Sequence, residues 1–258
     1  GIDDTSNKTI TTIGDPESRF REDPVRMLRA LRFKAKLGFQ IEAAGESAIR
    51  TLGHLIQDVA PARLFEEVLK LYMSGYALNA FDAMLDCDIF DWMFPDARRE
   101  KENLLADELI RLALTSTDRR IQADQPVTPA FIFAAIFWYP FVAEKDRLIE
   151  AGCNAFDASN DAANNIIGKQ QHFTSIPKRF SGPMRDIWFL QAKLPIRFGR
   201  KPDVLLEHKR FRAAYDFLLL RELAGEQTDG LGAWWTEYQT ADEARREEMK
   251  LPPSQEKK

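Results

Sequence analysis

The stretch REDPVRMLRALRFKAKLGF, Arg21 to Phe39, decides how the first part of the chain folds. On a wheel of about 100° per residue, Met27, Leu28, Leu31 and Ala35 fall on one side, and Arg26, Arg29, Arg32 and Lys36 on the other. That spacing predicts an amphipathic helix over 24–37, docked by its apolar stripe. Asp23 before Pro24 reads as an N-cap followed by a first-turn proline, where the missing N–H costs nothing. Glu22 and Arg26, four residues apart, can form an ion pair across one turn. The helix then presents a row of guanidiniums, whose planar forks suit phosphates and base edges.

Charge counts extend this reading. Gly14 to Phe39 carries seven cations and four carboxylates, a net of +3 in a 258-residue chain whose total is −4. Lys178 to Arg212 carries ten cations and three carboxylates, a net of +7. Two basic patches on an acidic background point to a local polyanion site. Solvated helix faces would give the same counts, and charge alone does not separate the two readings. Lys178 and Arg179 open a predicted helix, where cations are unfavourable unless an anion meets them. Arg200 and Lys201 sit in an exposed basic turn, FGRKP. All four are candidate contacts for such a polyanion.

Composition excludes several classes. Hydrophobic residues make up 45% and charged residues 29%, the balance of a globular chain with a sizeable core. The polar first residues show no signal peptide. The longest apolar run, PAFIFAAIFWYPFV at 129–142, is too short to span a bilayer and reads as a core helix. Cys87 and Cys153 are far apart and suggest reduced thiols in a cytoplasmic protein. His54, His172 and His208 are scattered away from them, which argues against a zinc site. Trp138 and Tyr139 read as core aromatics, and at least one of Trp234 and Trp235 faces a core.

The expected fold class is all-α and multi-helical, with at most a short strand near the N-terminus, over 9–16. Further helices are expected at 42–52, 61–73, 77–86, 101–116, 128–137, 143–151, 155–168, 180–192, 202–207 and 209–224. A polar, turn-prone boundary falls near Asp118–Val127. The organisation expected is 1–16 as a lead-in, 17–60 around the arginine helix, 61–122 as a helical body, 123–240 as a C-terminal helical region, and 241–258 as a frayed charged tail.

GDPESRFREDPVRMLRALRFKAKLGF resembles the neck motif of the class II nucleotidyltransferases, the family of bacterial poly(A) polymerases and CCA-adding enzymes. PARLFEEVLKLYMSGY resembles that family's helical body. VTPAFIFAAIFWYP, IPKRF with RDIWFLQ, and LLEHKRFRAAYDFLLLR resemble its poly(A) polymerase branch. The resemblance covers essentially the whole chain and weakens around 97–105 and 146–173. It implies that Glu22, Asp23 and Arg26 recognise the base of the incoming nucleotide, with Arg29 and Arg32 lining the same helix, and that 123–240 is an RNA-binding region, with Arg19, Lys178, Arg179, Arg200 and Lys201 as candidate RNA contacts. An Asp–Arg pair offers an acceptor beside donors, complementary to the N6 amino and N1 of adenine. Helix capping by Asp23 is the competing reading of the same residue.

The implied chemistry is attack of an RNA 3′-hydroxyl on the α-phosphate of ATP, with two Mg²⁺ ions held by carboxylates of a head domain. No Gly-Ser followed by Asp-x-Asp occurs in this sequence, and Asp3 and Asp4, being adjacent, would point to opposite faces of a strand. The expectation is therefore neck, body and C-terminal helical regions without the catalytic head, inactive alone. A connection shorter than the family pattern falls near Arg98–Glu102. ATP and RNA 3′ ends are the expected partners, with RNA-decay or RNA-chaperone proteins as further ones, and the chain is expected to be a monomer. CCA addition to tRNA and a non-catalytic helical RNA-binding module are the alternatives.

Overall fold

The computed structural model describes residues 7–98 and 104–250. Among them the chain forms β1 (Thr9–Ile10), α1 (Pro16–Glu22), α2 (Val25–Leu37), β2 (Gln40–Ile41), α3 (Ala43–Leu52), α4 (Pro61–Tyr72), α5 (Ala77–Asp86), α6 (Ile89–Met93) and α7 (Leu104–Gln122). There follow α8 (Pro129–Ile136), α9 (Trp138–Glu150), α10 (Ala155–Gln170), α11 (Lys178–Gln191), α12 (Lys201–Leu206), α13 (Phe211–Ala224), α14 (Leu231–Thr240) and α15 (Glu243–Met249). A 3₁₀ segment, Gly53–Asp58, joins α3 to α4. The all-α class expected from the hydrophobic spacing is the class observed.

The arginine helix α2 buries Met27, Leu28, Leu31 and Ala35, as its wheel requires, and also Val25 and Ala30. It ends at Gly38, whose φ of 66° lies in the left-handed region and whose N–H bonds to the Lys34 carbonyl. The reversal brings Gln40 and Ile41 into parallel register with Thr9 and Ile10. This two-strand clasp ties the far end of α2 to the segment that precedes α1. The strand stops at Ile10, short of the 9–16 expected, because Asp15 instead opens a helix. Its carboxylate accepts from the Ser18 N–H and Pro16 follows as the first helical residue.

The apolar run at 129–142 holds the end of one helix and the start of the next: α8 stops where the helix expected at 128–137 does, and α9 begins at Trp138, not at 143. The break falls at Phe137, and α9 carries Pro140 in its first turn. Proline has no N–H to offer the Ile136 carbonyl, so a continuous helix would lose a bond and meet the ring. The polar stretch at 118–127 does not divide two cores. One buried cluster runs from Phe20 through Phe65, Leu109, Phe133 and Trp188 to Phe217. Asp118 reaches across this boundary and accepts from the Ala77 and Leu78 N–H groups, closing the start of α5. Burial raises the Asp118 pKa, although the two backbone bonds oppose the shift.

A second, smaller cluster gathers Leu194, Phe211, Tyr215, Trp235 and Tyr238, with Met249 at its edge. The expected frayed tail departs from this picture over 243–249. Asp242 caps α15, Lys250 meets Asp203 at 2.8 Å, and the Trp234 indole donates to the Met249 carbonyl. These contacts hold a charged segment that composition alone would leave loose. Trp235 is fully buried and donates to the Leu194 carbonyl. Asp3 and Asp4, most of the Arg98–Glu102 connection, and residues 251–258 lie outside the described residues.

Candidate nucleotide-recognition site

The chain turns sharply between α1 and α2. Asp23 is extended there (φ −149°, ψ 95°), and Pro24 takes helical angles as the N-cap position of α2. The cap is therefore shifted by one residue from the expected Asp23-cap arrangement, because Pro24 adopts the helical region before the first helical residue. Asp23 still serves the helix start. Its Oδ1 accepts from the Val25 N–H at 3.3 Å, and its carbonyl accepts from the Arg26 N–H at 3.0 Å.

The Asp23 carboxylate has a second partner that the motif does not contain. Arg63, in the first turn of α4, places one guanidinium nitrogen 3.1 Å from each carboxylate oxygen. Arg26 turns to Glu22 at 3.7 Å, and Glu22 also takes Arg19 at 2.9 Å. Arg19 donates to the Ile13 carbonyl as well, so it braces the lead-in to α1. The Glu22–Arg26 pair is thus the one expected across a single turn. Among the described residues no ion pair or hydrogen bond joins the side chains of Asp23 and Arg26; each sits in its own charge pair on either side of the same turn.

Further along α2, Arg32 is half-buried and reaches the buried carboxylate of Glu67 at 3.9 Å. Lys70 meets the same carboxylate at 2.7 Å. Arg32 therefore ties α2 to α4 in this arrangement. Arg29, one turn before it, is exposed and carries no ion pair or hydrogen bond among the described residues. It is the cation on this helix most available to an incoming anion.

The second basic region divides. Lys178 is the first residue of α11, behind an N-cap Pro177 with no side-chain cap bond. Arg179 lies over the Phe180 ring at 4.9 Å, and Phe180 packs on Phe65 of α4 with ring centroids 5.6 Å apart. The Ser175 N–H donates to the Pro61 carbonyl at 3.1 Å. The start of α11 is thereby fastened to the start of α4, the same turn that holds Arg63 against Asp23. Lys178 and Arg179, far from Arg63 in sequence, thus stand at the helix start packed beside the one that carries it. Arg200 and Lys201 do not. They cap α12 beyond the far end of α11, a helix of 14 residues and about 20 Å long. Lys201 there sits 3.9 Å over the Phe198 ring.

Sequence reasoning missed Arg63. Its signal was present, an arginine two residues past the Pro61 that starts a helix, but nothing local connects it to a motif forty residues away. Among the described residues no group of three or more His, Cys, Asp or Glu could hold a metal ion. The residues present therefore do not fit a Mg²⁺ site, and no metal step is assigned to them. Nor is any described helix long and apolar enough to cross a membrane.

Two family profiles match the chain. Residues 38–100 match the profile described as the probable RNA and SrmB-binding site of polymerase A, and residues 151–258 match the polymerase A arginine-rich C-terminus. Proteins named poly(A) polymerase I from Haemophilus influenzae and Escherichia coli O6:H1 are each 40% identical, over 96% and 93% of this chain. The chain belongs to the bacterial poly(A) polymerase family. It spans 56% and 53% of those two relatives, about half the length of each. A CCA-adding enzyme from Anoxybacillus flavithermus is 34% identical over only 46% of the chain. A solved structure titled as a tRNA-processing enzyme in an apo form shares the fold, with a TM-score of 0.58 over 97% of this chain and 65% of that one, at 16% identity. The second basic patch lies wholly within the region that matches the arginine-rich C-terminus, whereas the cations of the first, Arg19 to Lys36, precede both matched regions.

Proposed function

We propose that this chain supplies the nucleotide-recognition and RNA-holding part of a polynucleotide adenylyltransferase, which adds AMP from ATP to RNA 3′ ends and so marks RNA for decay. Asp23 and Arg26 read the adenine edge, with Glu22 setting the Arg26 guanidinium. Arg29 faces the triphosphate, while Arg32 chiefly anchors the helix to Glu67. Lys178 and Arg179 hold the RNA phosphates as the strand approaches. Arg19 braces the turn, and Arg200 and Lys201 hold RNA farther out. The observation that carries this reading is the junction of α4 and α11, which sets the start of α11, with Lys178 and Arg179, beside the start of α4, whose Arg63 meets Asp23 at the α1–α2 turn.

The geometry suits the task for physical reasons. A half-buried carboxylate held by one arginine can exchange part of that contact for an adenine amino group without being left unpaired. Free cations beside it offset the phosphate charge of nucleotide and strand. Magnesium and the carboxylates that would hold it belong to the head implied by the resemblance, so the chemical step is not assigned to these residues.

The test compares ATP with CTP in a head-containing protein, using an unstructured RNA primer. Strings of adenylate support the proposal. Efficient CTP incorporation would return the chain to the CCA-adding reading. RNA affinity of this chain that does not change between low and high salt would remove the role given to both basic patches.

A further inference from the structure

Away from the α1–α2 turn, helices α9, α10 and α11 enclose a cavity of about 520 Å³. Its depth is aromatic: Trp138, Phe141 and Trp188 are buried, and the last two stack with centroids 4.6 Å apart. Its mouth is different. Phe156 stands 76% exposed at the start of α10. Phe189 lies half-buried across from it, and both residues line the same opening.

The charges around the opening are unequal. The carboxylate inside, Glu226, is fully engaged, accepting from the Trp138 indole, the Tyr139 hydroxyl and two nitrogens of Arg221. It offers nothing further to a cationic guest. At the rim, Lys193 is exposed and makes no ion pair among the described residues, and Lys145 has only its exposed neighbour Asp146, at 3.4 Å. Asn160 donates its amide to the Phe156 carbonyl, which leaves Oδ1 free to accept. The opening thus combines an exposed π-face, a hydrogen-bond acceptor and uncompensated positive charge.

We propose that this cavity takes one unstacked base of single-stranded RNA, stacked on Phe156, with an adjoining phosphate on Lys193. Every base has a π-face, so such a pocket holds a strand without choosing its sequence, and the lysine follows the backbone. Lys193 lies just past the C-terminal end of α11, whose N-terminal end carries Lys178 and Arg179. A strand anchored here can run along α11 toward the α4–α11 junction. The inference rests on the RNA-holding reading above and adds to it a second, aromatic anchor. The exposed phenylalanine favours a base over a protein segment because the unpaired charge that lines the opening, Lys193, is cationic and the acidic residue that lines it is already satisfied.

The test uses this 258-residue chain and a 12-nucleotide oligoadenylate carrying 2-aminopurine at single internal positions. Wild type is expected to quench the probe at one or more positions. Phe156→Ala is expected to abolish that quenching and weaken binding about 5- to 150-fold. Phe156 is exposed, so its melting temperature should match the wild type, which separates lost stacking from lost folding. Lys193→Gln is expected to lower the salt slope of binding by about 0.7. RNA binding with wild-type affinity and quenching in Phe156→Ala overturns the pocket while leaving the RNA-holding function intact. RNA binding absent from the wild type overturns both. An acidic, aromatic-rich peptide that binds the wild type, fails with Phe156→Ala and is not displaced by RNA makes this a protein-docking site and refutes the base pocket.

Discussion

Replacing Asp23 by alanine separates the two roles that this residue carries. Its structural role is modest. The ion pair with Arg63 joins side chains that are 23% and 49% exposed, so solvent screening leaves it worth about 0.2–1 kcal/mol. The 3.3 Å contact to the Val25 N–H is long, and its loss costs about 0.5 kcal/mol because water reaches the turn. Together these are about 1 kcal/mol, or a melting temperature lower by about 2–4 °C in a chain of this size. The functional role is larger. Losing one arm of a two-pronged base contact costs about 1–3 kcal/mol of discrimination, a factor of about 5–150. The assay is the ratio of kcat/KM for ATP to that for CTP in a head-containing protein, with Arg63→Ala beside it as a control. Arg63→Ala removes the same ion pair but keeps the carboxylate, so its stability loss should be similar and its discrimination loss smaller. Asp23→Ala with wild-type nucleotide preference and only a lowered melting temperature would refute the reasoning and leave Asp23 as a turn residue.

Three further outcomes are expected. Glu226→Ala strands the guanidinium of Arg221, which is 15% exposed and leans on Trp138, so urea unfolding should show a loss of about 3–5 kcal/mol; a loss below about 1 kcal/mol would mean that water already compensates the pair. Hydrogen bonds from Arg147, helped by Asn165 against the opposing effect of burial, lower the Glu144 pKa to about 2. The stability contributed by Glu144 should therefore be present above the ordinary value of 4.5 and disappear as pH falls through about 2, and carboxyl NMR titration should find an upward shift in Arg147→Gln. The purified 258-residue chain with ATP and Mg²⁺ should not extend an RNA primer, since the described residues contain no cluster of carboxylates to hold the metal; measurable extension would contradict that.

Most of the fold was legible in the sequence because it is local. The apolar face of α2, the proline starts of α4 and α8, and the all-α class follow from side chains within a turn or two of each other. Where local rules failed, the cause lay in a partner farther along the chain or in a competing local bond. The charged segment of α15 is ordered by Asp203 and Trp234, which lie in other helices. The helix expected from 143 begins at Trp138 instead, because the first turn of a helix tolerates Pro140, whose missing N–H has no intrahelical partner there. The helix α1 stood inside a stretch that looks like a turn, since Asp15 and Pro16 serve turns and helix starts equally well.

The candidate site shows the same division more sharply. Sequence by itself determined that Glu22, Asp23 and Arg26 crowd one helix start and that Arg29 follows on its polar side, because helical periodicity fixes which side chains share a face. It could not determine where the Asp23 carboxylate would turn. That choice fell to Arg63, forty residues away, which only the packing of α4 beside the α1–α2 turn brings within 3.1 Å. Nor could it join Lys178 and Arg179 to that turn, or part them from Arg200 and Lys201. The Ser175–Pro61 hydrogen bond and the Phe65–Phe180 contact make the first connection, and the length of a rigid helix makes the separation. Charge along a chain is a local property, whereas the field that a nucleotide or an RNA strand meets is set by how distant segments pack.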